Sequence, residues 1–246
     1  MILCIDCGNS RIKWGLWSGA GWRAQGALAH GEVGQLATLT VDGPEVQKIL
    51  FANVAGPALA AQIAALVAAA WPGRPLLTAA SQSAAAGVRN GYRSPERLGV
   101  DRWCALLGAW ARVRGACLVV MAGTATTVDS LSADGFFPGG LILPGLELMR
   151  KSLARDTAGL PLAQGRHVAQ PTCTDDAIIS GCIEAQAGAI ERAWRRLANP
   201  AAPCLLSGGA AGLIGPALEI PWQGVDNLVL DGLATLASEP VPPLAG

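Results

Sequence analysis

An α/β fold made of two similar halves is what this sequence predicts, and three observations predict it. Short apolar runs of strand length alternate with amphipathic or alanine-rich runs of helix length, the order of a layered α/β protein. A glycine turn follows a strand at Gly8, and another follows a strand at Gly123. A β-meander opens each half, which suggests an internal duplication with a cleft between its halves, the alternative being two unrelated α/β segments. The chain has 246 residues, room enough for two domains, expected at residues 1–115 and 116–246.

Met1 to Ile5 reads as a buried strand entering the turn Asp6-Cys7-Gly8-Asn9-Ser10. Ile12 to Trp17 and Trp22 to Ala27 follow as strands joined at Ser18-Gly19-Ala20-Gly21, which completes a meander. Lys48 to Val54 is a fourth strand, Ala58 to Trp71 an alanine-rich helix and Pro75 to Ala79 a fifth strand. Ser94-Pro95 signals a helix start that Gly99 interrupts. The next helix begins near Asp101 and buries one face, because Trp103, Leu106, Leu107 and Trp110 recur at helical spacing.

The pattern then restarts. Cys117 to Val120 is a strand, Ala122 to Thr126 a turn, and Thr127 to Leu131 and Gly140 to Leu143 complete a second meander. A helix from Leu146 to Asp156 presents Leu146, Met149 and Leu153 on one face. Asp175 to Leu197 is a long helix with the stripe Ile179, Ile183, Ile190, Trp194 and Leu197. Pro203 to Leu206 is a strand ending at Ser207-Gly208-Gly209, Leu228 to Ala237 is a closing helix, and a proline-rich tail from Pro240 frays.

Composition excludes several function classes. Charged residues are 15% of the chain, against roughly 25% in an ordinary domain, and 18 basic side chains balance 18 acidic ones. Neither a nucleic-acid footprint nor a polybasic membrane patch is expected. Val54 to Trp71 is the nearest approach to a membrane span, and Gly56, Pro57 and Gln62 interrupt it. With Asp6 breaking the first apolar run and no basic region before it, a secretory signal is not expected, and the cytoplasm is the expected compartment. Seven cysteines, an odd number, point to reduced thiols. The lone pair Cys4-x-x-Cys7 is read as packing rather than redox or metal chemistry, since His30 and His167 are the only histidines. A serine–histidine–aspartate triad is likewise not expected, which leaves carboxylates, backbone amides and bound cations to carry any chemistry.

Several residues suit such chemistry, each beside a plainer role. The turn at Gly8 lines up backbone N–H groups as a nest for phosphate oxygens. Asp6, at the end of its strand, either holds Mg²⁺ directly or through water, or caps its own turn. Thr124, Thr126 and Thr127 offer hydroxyls to a polyphosphate or are ordinary strand residues. Ser207-Gly208-Gly209 admits a flat ligand or starts a helix. Asp101 is a helix cap or a proton acceptor near a phosphate site. Arg102 anchors an anion or is a solvated charge, and Tyr92 lines the same pocket or packs at its rim.

Read together, the motifs resemble one family. D-C-G-N-S-R-I-K (Asp6 to Lys13), Y-R-S-P-E-R-L-G-V-D-R-W (Tyr92 to Trp103), G-T-A-T-T-V-D (Gly123 to Asp129), F-F-P-G-G-L-I-L-P-G-L-E-L-M (Phe136 to Met149), T-D-D-A-I-I-S-G (Thr174 to Gly181) and Ser207-Gly208-Gly209 occur in the order seen in type III pantothenate kinases. The resemblance implies two ribonuclease-H-like halves of the acetate and sugar kinase, Hsc70 and actin superfamily. It implies ATP-dependent phosphorylation of pantothenate, the first step toward coenzyme A, in a homodimer whose substrate pocket is near the subunit interface. By motif match, Asp6, Cys7, Gly8, Asn9, Ser10, Arg11, Ile12 and Lys13 would form the phosphate and Mg²⁺ loop, and Thr124 would contact ATP. Gly99, Val100, Asp101 and Arg102 would hold pantothenate together with Tyr92 and Thr174, with Asp101 as proton acceptor; Thr174 also suits the N-cap of the long helix.

This chain departs from the family pattern twice. Ser10 replaces the usual threonine and keeps its hydroxyl. Met121 stands where the family usually has an aspartate that binds potassium or ammonium; a thioether does not replace a carboxylate as ligand to a hard cation, so the monovalent-cation activation that the resemblance implies is either lost here or rests on backbone carbonyls and water. Two alternatives accompany the kinase reading. One is a related kinase or phosphohydrolase acting on another small alcohol or ester. The other is a regulatory accessory protein, as relatives named Bvg accessory factors suggest.

Overall fold

Burial on both faces of the first strand organises the N-terminal part of the molecule. In the computed structural model, which describes residues 1–39 and 45–238, β1 (Ile2–Cys7) alternates its side chains between two apolar layers. Leu3, Ile5 and Cys7 join Ile12, Leu16, Ile49, Phe51 and Ile63 in one core, while Cys4 and Asp6 point to the other side. The strand thus runs two residues further than the expected turn, and Asp6 is a strand residue. β2 (Ile12–Trp17) and β3 (Trp22–Leu28) continue antiparallel from β1, and β4 (Lys48–Asn53) and β5 (Leu76–Thr78) extend the sheet in parallel, in the order β3-β2-β1-β4-β5. α1 (Pro57–Ala70) starts on a proline and buries Leu59, Ile63 and Val67 against this sheet's core.

A short 3₁₀ segment, His30–Thr38, was not expected from the sequence, because it carries only one fully buried anchor, Leu36. A two-residue hairpin, β6 (Ala84–Ala85) with β7 (Val88–Asn90), precedes α2 (Val100–Val113). The sequence predicts one buried face for α2. Instead every residue from Arg102 to Trp110 is buried, because Cys104, Ala105, Gly108 and Ala109 are small enough to admit neighbours around the whole helix.

The second sheet repeats the first. β8 (Cys117–Ala122), β9 (Ala125–Leu131) and β11 (Gly140–Pro144) form an antiparallel meander, with β10 (Phe136–Phe137) between β9 and β11 in the chain. β12 (Cys204–Ser207) and β13 (Trp222–Gly224) add in parallel, so the order β11-β9-β8-β12-β13 has the same strand senses as the first sheet. α3 (Leu146–Asp156) and α4 (Thr174–Arg196) lie between β11 and β12 in sequence, and α5 (Ala211–Ile214) between β12 and β13. On α4 the buried residues are Ile178, Ser180, Cys182, Ile183, Gln186, Ala187, Ile190, Glu191 and Ala193. Ile178 rather than the expected Ile179 therefore begins the inward stripe, as packing against Ala163 and Cys182 draws that side of the helix in.

Residues 1–112 and the closing helix α6 (Leu228–Ser238) make one compact unit, and Val113–Asn227 the other. α6, expected in the second half, packs on β1, β2 and β4 of the first sheet. The proline-rich tail expected from Pro240 lies outside the described residues. The reason for the position of α6 is a glycine contact on each side: a Cβ on Gly232 would overlap the Cys104 carbonyl of α2, and one on Gly108 would overlap the Leu228 carbonyl of α6. Asp231 of α6 then accepts from Trp22 Nε1 at 3.0 Å and from Arg112 Nε at 2.8 Å, tying β3, α2 and α6 together.

Backbone-to-backbone packing of this kind has no flexible side chain to yield, so Gly232→Ala is expected to destabilise the protein by about 2 kcal/mol or more. Urea unfolding of purified protein checks it, and an unchanged midpoint would contradict the crossing.

Candidate active site

The first glycine turn is a four-residue link, Gly8 to Arg11, between paired strands. Asp6 lies directly opposite Lys13 and Cys7 opposite Ile12 in the β1–β2 register, so Asp6 and Lys13 share a face. Gly8 N–H donates to Arg11 O at 3.1 Å and closes the turn. Asn9, Ser10 and Arg11 are exposed at its tip. Cys7 and Ile12 are fully buried in the apolar core, which leaves only their main-chain atoms to meet a ligand.

Asp6 is 7% exposed. Burial pushes its carboxyl from 3.8 up to about 7; Lys13 pulls it down and Asp101 pushes it up again. A carboxylate so weakly compensated fits a hard divalent cation, and no cluster of three or more metal-ligating side chains occurs among the described residues. That donor set suits Mg²⁺, which takes one or two carboxylates and fills its remaining positions with water and phosphate.

The motif from Tyr92 to Arg102 is arranged by hydrogen bonds that the sequence did not disclose. Asn90 is buried, donates from Nδ2 to Gln82 O at 3.1 Å and to Pro95 O at 3.2 Å, and accepts from Tyr92 N–H at 3.1 Å. Ser81 Oγ donates to Leu98 O at 2.8 Å. The asparagine before Gly91 was the available signal, since asparagine side chains commonly bond local backbone in turns. Arg102 Nη1 donates to the Tyr92 hydroxyl at 2.7 Å, and its guanidinium carbon lies 5.6 Å from the centre of that ring.

Asp101 is in the first turn of α2, and its Oδ1 accepts the Arg102 N–H at 2.8 Å. Its side chain is thus fixed by its own backbone turn, and its charge helps to raise the Asp6 carboxyl. Gly99 leaves room for the Asp101 carboxylate: a Cβ at that position would come within 2.7 Å of Asp101 Oδ1 and push it aside. Burial raises the thiol of Cys104, one turn further along α2, and the carboxylates of Asp6 and Asp101 push it up further. The first unit thus brings together Asp6, Lys13 and Asp101, with Gly99, Val100, Arg102 and Tyr92 along one linked segment.

Cys4 and Cys7 alternate to opposite faces of β1 and cannot act as a pair. Both are free and buried, and burial pushes each thiol up to about 12. They are packing residues, as the sequence reading held.

The second unit holds Thr124 and Thr174 in different surroundings. The turn at Gly123 closes by Gly123 N–H to Ala125 O at 3.0 Å, and Gly145 N–H, at the start of α3, donates to Thr124 O at 3.0 Å. Ala210 N–H donates to Ala122 O at 3.1 Å, which brings the Ser207-Gly208-Gly209 turn against the end of β8. The hydroxyls of Thr126 and Thr127 are buried without a hydrogen-bond partner among the described residues; such orphans are commonly met by water or ligand. Thr174 is the first helical residue of α4, and Cys173, not Thr174, takes the cap position. It lines an apolar groove of about 590 Å³ with Met149, Leu153, Leu160, Ile178 and Cys182. Met121 pairs with Thr127 in the β8–β9 register.

Comparison with known proteins follows this geometry. Residues 2–196 match the family described as type III pantothenate kinase. The type III pantothenate kinase of Dechloromonas aromatica is 54% identical over 241 residues, covering 96% of this chain and 99% of that protein. That of Aromatoleum aromaticum is 53% identical, covering 97% and 98%. Among solved structures, a conserved Baf family protein from Campylobacter jejuni superposes with a TM-score of 0.64 at 21% identity, over 95% of this chain and 96% of that one. A chain of the PilM–PilN type IV pilus biogenesis complex gives 0.54 at 12% identity, over 97% and 99%.

The raised Asp6 carboxyl makes stability depend on pH in a defined direction. Its proton is bound more tightly in the folded chain than in the unfolded one, so its contribution is fully present below about 3.8 and is lost as pH rises through about 7. Without nucleotide or metal, Asp6→Asn is expected to melt higher than the unmodified protein at pH 8, with the gap closing toward pH 4. Thermal melts across that range check it, and a pH-independent gap would contradict the burial of the carboxylate.

Proposed function

The chain belongs to the type III pantothenate kinase family, and from that premise we propose that it transfers the terminal phosphoryl group of ATP to the primary hydroxyl of pantothenate. Its two five-stranded sheets are those of the acetate and sugar kinase, Hsc70 and actin superfamily. The relatives' names support a kinase, so the regulatory alternative is not favoured.

Asp101 is the proton acceptor. Held at the rigid start of α2 by Gly99 and by the Arg102 N–H, it takes the hydroxyl proton as the new P–O bond forms and the bond to ADP breaks. Arg102, buried and joined to Tyr92, supplies a fixed positive charge for the carboxylate of pantothenate. The amides of Gly8 to Arg11 and the Lys13 ammonium orient the phosphates, and Thr124 contributes to ATP binding. Asp6 holds Mg²⁺, directly or through water, and the ion, when bound, offsets phosphate charge. Thr174 contacts pantothenate. The observation that carries the reading is the geometry of one unit: Asp6 lies buried opposite Lys13 just before the phosphate turn, and Asp101 opens α2 with its Oδ1 accepting the Arg102 N–H.

Three finer assignments belong to the same proposal. A homodimer would cover the apolar groove at Thr174 and the exposed Leu148 and Leu162. The cytoplasm suits a chain whose seven cysteines are all free. Met121 supplies no carboxylate for potassium or ammonium, so replacing potassium by sodium should change turnover by less than about twofold.

A coupled ADP-release assay with pantothenate and Mg-ATP tests the reading. Asp101→Asn, which still accepts the Arg102 N–H, should fold normally and bind ATP while kcat falls about 10²-fold or more. Near-normal turnover would remove Asp101 from the role of base.

A further inference from the structure

One contact to the phosphate loop comes from outside every motif: His30 Nε2 lies 2.9 Å from the carbonyl oxygen of Gly8. The oxygen accepts, so Nε2 carries the hydrogen. His30 is the first residue of the 3₁₀ segment His30–Thr38, and that segment is fixed at both ends. Glu32 accepts the Ala29 N–H at 2.8 Å at its start, and Leu36 is fully buried in the core of the first sheet further on. The imidazole is therefore presented to the turn from a braced position rather than from a free loop.

The consequence follows from peptide geometry. No peptide bond in the described chain is cis, and in a trans peptide the C=O and the next N–H point in opposite directions across one plane. Holding the Gly8 carbonyl toward His30 turns the Asn9 N–H the other way. The internal bond from Gly8 N–H to Arg11 O closes the turn but leaves this peptide plane unset. We infer that His30 is a positioning residue for nucleotide: it orients the Gly8–Asn9 peptide so that the Asn9 amide serves as a phosphate donor. The inference rests on the proposed role of the turn as the phosphate loop.

The test measures nucleotide binding as well as turnover. Binding of Mg-ATP by calorimetry, the KM for ATP and for pantothenate, kcat and the melting temperature are compared for the unmodified protein, His30→Ala and His30→Gln. Glutamine keeps an N–H donor at similar reach, whereas alanine removes it. Losing one aligned donor should weaken nucleotide binding and raise the KM for ATP roughly three- to tenfold, with kcat and the KM for pantothenate within about twofold, and glutamine should recover most of the loss. Unchanged ATP binding in His30→Ala, with the unmodified protein binding and turning over normally, would overturn the inference and leave the kinase reading standing. A parallel rise in both KM values with a lower melting temperature, not rescued by glutamine, would also overturn it, marking His30 as structural. Failure of the unmodified protein to bind Mg-ATP would overturn both.

Discussion

A buried carboxylate with too little positive charge around it is the constraint on which the first unit depends. Asp6 lies one residue from the end of a strand covered on both faces, and Lys13 opposite it does not offset the cost of removing it from water. Such a group is tolerated where a ligand ion completes it. The surrounding architecture holds it in place: the core of Leu3, Ile5 and Cys7 secures one face of β1, and α6 covers the other. α2 is kept close to α6 by a contact in which neither partner has a side chain, and the same helix carries Asp101 at its start. The backbone crossing at Gly108 and Gly232 therefore bears on the proposed chemistry as well as the fold, because α2 carries Asp101 in its first turn.

The two sheets share one frame and differ at their turns. The two sheets share strand order and sense, and their glycine turns join corresponding strands. Within that correspondence Met121, paired with Thr127, occupies the place that Asp6, paired with Lys13, has in the first sheet. One turn thus carries a charged pair and its counterpart a neutral one. The hydroxyls of Thr126 and Thr127, buried and without a partner among the described residues, are a polar feature of the strand that leaves the second turn.

Much of this was legible in the sequence. The strands and helices with clear periodicity were found within a few residues, as were the doubled meander and the glycine turns, because side-chain period and turn chemistry are local properties. What was not legible depended on distant partners. α6 was expected in the second half because its own letters show only an apolar helix; the match of Gly232 to the Cys104 carbonyl exists only once α2 is in place. The bonds of Asn90 to Pro95 and of Ser81 to Leu98 likewise join residues whose own letters name no partner. His30 lay in a segment with one buried anchor and no strong pattern, so neither the 3₁₀ turn nor its reach to Gly8 was expected.

The central claim is that Asp6 is a protonatable, cation-seeking carboxylate beside the proposed base. Carbon-13 NMR of aspartate-labelled protein, titrated with and without Mg-ATP, tests it directly, with Asp6→Asn used for assignment. The account predicts one carboxyl titrating near pH 7 in the free protein, absent from the variant, and moving well down when Mg-ATP binds. An Asp6 signal titrating near 4 in the free protein, or one indifferent to Mg-ATP, would contradict it.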